Sequence, residues 1–129
     1  MRLKNFSLAF GIQVFKSLSD DARVRILNLL LNYGELCITD IEQILSFTQT
    51  KTSRHLSYLK NAGLVATKRY DKYVFYYIKD EVLDILQQVF SYLEKDPGLM
   101  SDKDTFVVLY KNRELVLNKL KGIQLYPDL

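Results

Sequence analysis

The stretch TQTKTSRHLSYLKNAGLV, residues 48–65, decides the fold. Thr48 is a good helix N-cap, and the sequence Asn-Ala-Gly at 61–63 ends a helix, so we predict a helix over roughly residues 49–61. Leu56 and Leu59 mark the side of this helix that points inward. Its first two turns carry polar side chains of little bulk, which form a hydrogen-bonding surface.

The segments before this helix read as three further helices. A short helix is predicted from about Thr39, its cap, to Leu45, and the SFT sequence at 46–48 is a tight break. A first helix covers roughly residues 6–18, and a second runs from an N-cap at Ser19 to Gly34. The apolar residues of the second helix fall on more than one side, which predicts a central, largely buried helix.

After residue 63 the spacing of apolar residues changes from helical to alternating. LVATKRY (64–70) and YVFYYI (73–78) predict two strands joined by a two-residue turn at 71–72. Asp80 is the expected cap of a fifth helix that extends to about Leu93. A polar break with Pro-Gly at 97–98 follows, and a last helix is predicted from about Lys103 to Leu120, capped by Ser101 or Asp102.

Composition is that of one globular domain without covalent cross-links. The chain has 129 residues, 48% of them hydrophobic and 26% charged. Its single cysteine cannot form an internal disulfide. The apolar segment at 6–15 is interrupted by Gln13 and lacks a cleavage site, and no run reaches the ~18 apolar residues of a membrane span. We therefore expect a cytoplasmic protein without a membrane partner.

Positive charge is concentrated in one part of the chain. Residues 48–72 carry six basic side chains and one acidic one, although the net charge of the whole chain is only +3. Such a cluster is typical of a nucleic-acid-binding surface, and it also fits an ordinary solvated face.

The order of the elements predicts a winged helix-turn-helix, a mainly α fold with a small β-hairpin (α+β). A short helix, a three-residue turn and a capped helix form the helix-turn-helix, and the charged hairpin forms the wing. The second helix of such a pair enters the major groove of duplex DNA, led by its N-terminal residues. Gln can read adenine, Lys and Arg can read guanine, and Ser and Thr bind phosphate. The predicted DNA-contacting residues of this helix are Thr48, Gln49, Thr50, Lys51, Thr52, Ser53, Arg54 and His55.

Residues 15–78 resemble the ArsR-type (ArsR/SmtB) family of winged-helix repressors. The resemblance covers about half the chain and rests on LSDDARVRIL (18–27), GELCITDI (34–41), the 48–65 stretch and the aromatic hairpin, in that order. It implies a homodimer, paired through the first and fifth helices, that binds a near-palindromic operator in double-stranded DNA. Arg69 and Lys72 on the wing would reach the flanking backbone or the minor groove. Many relatives have Gly where this chain has Ser46.

The same resemblance divides the chain into two parts. Residues 1–98 would form the DNA-binding domain with its dimerisation helices, and residues 99–129 a helical extension. The extension is expected to pack on the same domain or at the dimer interface, and lining a ligand pocket is the other possibility.

Cys37 is expected to be a buried structural residue, with a redox role as the alternative. Arsenic-sensing relatives carry two cysteines in the segment that resembles ELCITD (35–40), and here the partner position is Thr39. The fifth helix offers Asp80, Glu81 and Asp84 but no histidine for the second type of family metal site. We expect no metal, no cofactor and no catalytic residues, and the sequence does not name an effector.

Two rival functions remain at this point. A winged helix can serve as a protein-protein interaction module without specific DNA binding, although such a module has no need of the basic stretch. The tyrosines of the wing could also stack on single-stranded nucleic acid, but hairpin packing explains them more simply.

Overall fold

Six α-helices, a small antiparallel sheet and one 3-10 helix make up residues 6–120, the part of the chain that this computed structural model describes. The winged helix-turn-helix prediction is confirmed. Arg2, Lys4 and the last nine residues of the predicted 99–129 extension lie outside the described residues. The elements are α1 Leu8–Ser17, α2 Asp21–Tyr33, β1 Glu35–Cys37, α3 Ile38–Leu45, α4 Gln49–Asn61, β2 Val65–Tyr70, β3 Tyr73–Ile78, α5 Asp80–Ser91, α6 Pro97–Lys111 and the 3-10 helix Val116–Lys119.

The turn between α3 and α4 contains a residue with a positive φ. Ser46 adopts the left-handed conformation, with φ 59°. Thr48 then caps α4, since its hydroxyl accepts a hydrogen bond of 3.1 Å from the amide of Lys51. Leu56 and Leu59 are completely buried, as their spacing predicted.

The wing is a hairpin with the predicted two-residue turn. Tyr70 pairs with Tyr73 across the turn, and Asp71 takes a positive φ of 55°. A third strand, β1, was not predicted. It pairs antiparallel with β3 and places Cys37 opposite Phe75. The strand order is therefore β1-β3-β2.

Helix α2 runs through the centre of the domain, as its apolar pattern predicted. The side chains of Ile26, Leu27 and Leu29 are completely buried, and α2 contacts α4, α5, α6 and the sheet. None of the helices within residues 6–120 is long and apolar enough to cross a membrane.

The C-terminal part of the chain packs closely against α2 and α3. Phe106 of α6 stacks on Tyr33 with ring centroids 3.7 Å apart. The 3-10 helix buries Val116 and Leu117, whose amides donate hydrogen bonds to the carboxylate of Asp40. The division of the chain at 98/99 stays a prediction, and α6 runs across it.

Three predicted caps were wrong by one or two residues. Asp20 caps α2 instead of Ser19, because the Ser19 hydroxyl already donates to the carbonyl of Lys16 at the end of α1. Helix α3 begins at Ile38 and has no side-chain cap, so Thr39 lies inside its first turn. Helix α5 likewise begins at Asp80, after Lys79.

The last helix was misplaced. It was predicted over roughly 103–120 with a cap at Ser101 or Asp102, but α6 begins at Pro97 with Asp96 as its cap. Proline suits the first position of a helix, where no amide donor is needed, so the Pro-Gly pair begins α6 instead of breaking the chain. The helix ends at Lys111, and Arg113 then takes a positive φ of 59°.

Candidate nucleic-acid interface

The outer face of α4 is polar and open to solvent. It forms a shallow depression whose lining residues recur at intervals of one helical turn, as expected for one side of a helix. The residues that line it are Gln49, Thr50, Ser53, Arg54 and Ser57. Ser57 was not among the predicted contacts, although the helical spacing from Ser53 could have identified it.

Two cations stand at the N-terminal half of this face. Lys51 and Arg54 are exposed, and within residues 6–120 neither side chain lies within 4.0 Å of a carboxylate. The ammonium of Lys51 lies 4.1 Å from the centroid of the Phe47 ring. Together with the amide groups of the first turn of α4, these charges create a surface that attracts phosphate.

Thr52 and His55 were predicted to contact DNA, but both face the protein interior. The hydroxyl of Thr52 donates a hydrogen bond of 2.8 Å to the carbonyl of Thr48, and the side chain is fully buried. Thr52 and His55 lie on the same side of α4 as Leu56 and Leu59, so the helical repeat already predicted that they point inward. Burial removes both side chains from the surface that can touch a groove.

His55 instead joins α4 to the start of α2. Its Nε2 lies 4.0 Å from Oδ1 of Asp20 and 3.5 Å from a guanidinium nitrogen of Arg54. Burial is the main cause that lowers the pKa of His55 below its ordinary 6.5, and the charge of Arg54 adds to it, while Asp20 acts in the opposite direction.

The wing presents a second basic surface. Arg69 and Lys72 are exposed near the hairpin turn, while Lys68 is held by Glu35 in an ion pair of 2.9 Å. Phe75 is completely buried and meets the ring of Tyr70 edge-on at 5.3 Å. At least these two aromatic rings of the wing therefore serve packing.

Residues of α2 support α4 from behind, and none of them was predicted from the sequence. The guanidinium of Arg23 lies 4.0 Å from the centroid of the Tyr58 ring. Arg25 lies 5.1 Å from the centroid of Phe47 and forms a two-point ion pair with Asp102. Nothing in the local sequence could link Arg25 to a residue 77 positions away.

Cys37 lies in the core and not in an open site. Its side chain is 3% exposed. Burial is the main cause that raises the pKa of its thiol to about 12, and the neighbouring Asp40 carboxylate contributes. No group of three or more His, Cys, Asp or Glu side chains in the described part of the chain is arranged to hold a metal ion.

Helix α1 carries an apolar stripe that nothing in the described chain covers. Leu8, Ile12 and Phe15 follow one another at helical spacing and are 83%, 42% and 62% exposed. An uncovered stripe of this kind is typical of an interaction surface.

Comparison with known proteins places this geometry among bacterial regulators. The sequence profile described as bacterial regulatory protein, arsR family, matches residues 20–67. The arsenic resistance transcriptional regulator ArsR1 of Pseudomonas putida is 41% identical over 69 residues, which is 54% of this chain and 54% of that protein. The cadmium resistance transcriptional regulatory protein CadC of Listeria innocua is 36% identical over 87 residues, which is 67% of this chain and 73% of CadC.

A solved structure shares the architecture. The homodimeric winged helix-turn-helix DNA-binding domain of a possible ArsR-family regulator from Mycobacterium bovis is 26% identical, with a TM-score of 0.62. The match covers 72% of this chain and 92% of that domain.

Proposed function

Since the chain belongs to the arsR family of bacterial regulatory proteins, we propose that it is a homodimeric repressor that binds a near-palindromic operator in duplex DNA. The observation that carries this proposal is the exposed face of α4, with Lys51 and Arg54 free of carboxylate partners within the described residues. Family relatives are transcriptional regulators, not enzymes.

The proposed contacts are narrower than those predicted from the sequence. Gln49, Thr50, Ser53 and Arg54 would face the major groove, where Gln and Arg can read base edges. Lys51 would contact phosphate, and the start of α4 adds its own attraction for anions. Most of the affinity in such an interface comes from cationic side chains and the counterions they displace.

The wing would extend the contact along the duplex. Arg69 and Lys72 are exposed near the hairpin turn, and neither pairs with a carboxylate among residues 6–120. A cation at the tip of a hairpin reaches the backbone or the minor groove beside the site occupied by a recognition helix. We propose that these two residues contribute affinity more than sequence preference.

The proposed dimer uses α1 and α5. The uncovered stripe at Leu8, Ile12 and Phe15 supplies an apolar surface for a second copy, and the related Mycobacterium bovis domain is a homodimer. A twofold dimer would present its two α4 helices to successive major grooves. A repressor that acts on chromosomal operators works in the cytoplasm, which is where we place it.

The signal that controls this repressor is proposed to differ from a metal ion bound near Cys37. The relatives named for arsenic or cadmium resistance set the precedent for metal signals. Here Cys37 is buried with a raised thiol pKa, and Thr39 offers no thiolate beside it.

The first test is capture of fragmented host DNA by the purified protein, with the bound fragments sequenced at two salt concentrations. Enrichment of a near-palindromic site that weakens at high salt supports the proposal. Failure to enrich any sequence with a folded dimer would instead favour a protein partner.

The second test uses the recovered operator. Lys51→Ala and Arg54→Ala should each weaken binding by about tenfold or more. Lys51→Ala should also reduce the slope of log affinity against log salt by about one, because it removes a phosphate contact, whereas Arg54→Ala should relax the base preference at one operator position. Lys60→Ala is the matched control, because Lys60 is exposed at the far end of the same helix. Unchanged affinity in both test variants would contradict the proposed placement of α4.

A further inference from the structure

Phe47, in the turn before α4, lies between two cations. The ring centroid is 4.1 Å from the ammonium of Lys51 and 5.1 Å from the guanidinium carbon of Arg25. Its amide donates a hydrogen bond of 3.1 Å to the carbonyl of Glu42, so the turn itself is tied to α3. The ring is half-buried, and Lys51 is exposed beside it.

Arg25 is held in place from the other side of the domain. Its Nε and one terminal nitrogen each donate a hydrogen bond of 2.9 Å to a different oxygen of Asp102. This two-point geometry fixes the plane of the guanidinium, which a single contact would leave free to rotate. Asp102 is 5% exposed and belongs to α6.

Helix α6 is in turn fixed on α2. The stacked rings of Tyr33 and Phe106 lie one helical turn beyond Asp102, with 3.7 Å between their centroids. A continuous series of contacts thus connects α6 through Arg25 and Phe47 to the first turn of α4. The contacts join α6 to α2, α2 to the turn, and the turn to α4.

We infer that Phe47 is a positioning residue for Lys51, and that Asp102 of α6, through Arg25, holds Phe47 in place. The inference rests on the proposed function, because it concerns how Lys51 meets the DNA. A lysine side chain can rotate about four bonds. An aromatic face that attracts its ammonium group limits the orientations that the side chain samples before it binds DNA. The C-terminal helix would therefore influence operator affinity without touching DNA.

A double-mutant cycle tests the inference. Phe47→Leu should weaken operator binding by about two- to fivefold when Lys51 is present, which is the range expected for an exposed cation–aromatic contact. In the Lys51→Ala background the same change should have no further effect. A purely structural role for Phe47 would give equal losses in both backgrounds.

Two further variants test whether the aromatic face and the carboxylate that holds Arg25 are needed. Phe47→Tyr keeps the aromatic face and should retain operator affinity. Asp102→Asn removes the charge that holds Arg25 with almost no change in shape, and its loss of affinity should also vanish in the Lys51→Ala background. Thermal unfolding of every variant sets a temperature at which all of them are folded.

Tyr58→Leu is the matched control. Tyr58 belongs to α4 and, like Phe47, contacts a cation from α2, since the guanidinium of Arg23 lies 4.0 Å from its ring centroid. Lys51 is not part of that contact. Its effect on affinity should therefore be the same with and without Lys51.

The outcomes separate the inference from the proposed function. If Lys51→Ala weakens binding and Phe47→Leu weakens it equally in both backgrounds, the positioning role is overturned and the proposed function stands. If Lys51→Ala leaves affinity unchanged, the proposed role of Lys51 and the positioning role both fail.

Discussion

The carboxylate of Asp40 joins two parts of the chain that are far apart in sequence, and its removal should destabilise the whole domain. Asp40 lies in α3 and is 0% exposed. Its two oxygens accept hydrogen bonds of 2.7 and 3.1 Å from the amides of Val116 and Leu117. Both amides are buried, so Asp40→Ala leaves two donors without an acceptor.

The magnitude follows from these two donors. A buried donor that loses its partner costs about 1–3 kcal/mol, so the pair costs about 2–6 kcal/mol. Burial of the carboxylate is the main cause that raises the pKa of Asp40, because its charged form loses solvation in the interior. Removing the carboxylate recovers this solvation cost, which offsets part of the loss. We expect Asp40→Ala to lower the free energy of unfolding by about 2–4 kcal/mol, a large part of the roughly 5–15 kcal/mol typical of a domain.

Urea unfolding at pH 7 measures this loss, and hydrogen exchange at Val116 and Leu117 locates it. Asp104→Ala is the control, because Asp104 is an exposed carboxylate in α6 and its removal should change stability by no more than about 0.5 kcal/mol. Equal stabilities for Asp40→Ala and Asp104→Ala, or unchanged protection of the two amides, would refute the reasoning.

Three further predictions concern the turn, the thiol and the buried imidazole. Ser46→Gly should raise the melting temperature because the left-handed backbone at φ 59° favours glycine, whereas Ser57→Gly, inside α4, should lower it. At pH 7, Cys37 should react with a thiol reagent much more slowly in the native protein than in urea, because its side chain is buried and burial raises the pKa of the thiol to about 12. Equal rates would show an accessible thiol. The pKa of His55 is lowered in the folded state, so the contribution of His55 to stability is present above about pH 6.5 and is lost as the pH falls below that value. The free energy of unfolding, measured from pH 5 to 8, should show this loss in the unsubstituted protein and not in His55→Gln.

The helix-turn-helix could be predicted from the sequence because its signals are local. Thr48 caps the helix that it precedes, and Leu56 and Leu59 repeat at helical spacing within one short segment. The hairpin was equally visible, since its two strands adjoin a two-residue turn. In each case the residues that specify the element lie in it or directly beside it.

The errors arose where a residue interacts outside its own element. Ser19 looks like a cap for α2, but its hydroxyl serves the end of α1. Strand β1 has only three residues and exists because β3 offers it an edge, so no periodicity reveals it. Thr52 and His55 are polar, which favoured a surface position, although the helical repeat placed them inward.

The candidate site, too, has one part that could be predicted from the sequence and one part that could not. The exposed face of α4 could be read from one helical segment, apart from its two inward residues. The residues that support α4 could not be predicted, because Arg25 contacts Phe47 and Asp102 only after α2, the turn and α6 have packed together. Contacts between distant segments follow from packing, which a single sequence does not display.

The burial of the 3-10 helix also bears on how this protein is synthesised. A chain leaves the ribosome N-terminus first, so α4 emerges well before Val116 and Leu117. Until those residues arrive, the carboxylate of Asp40 lacks the two amide donors that bind it in the complete domain. The contact between Asp40 and the 3-10 helix therefore forms only after the helix-turn-helix and the wing have been synthesised.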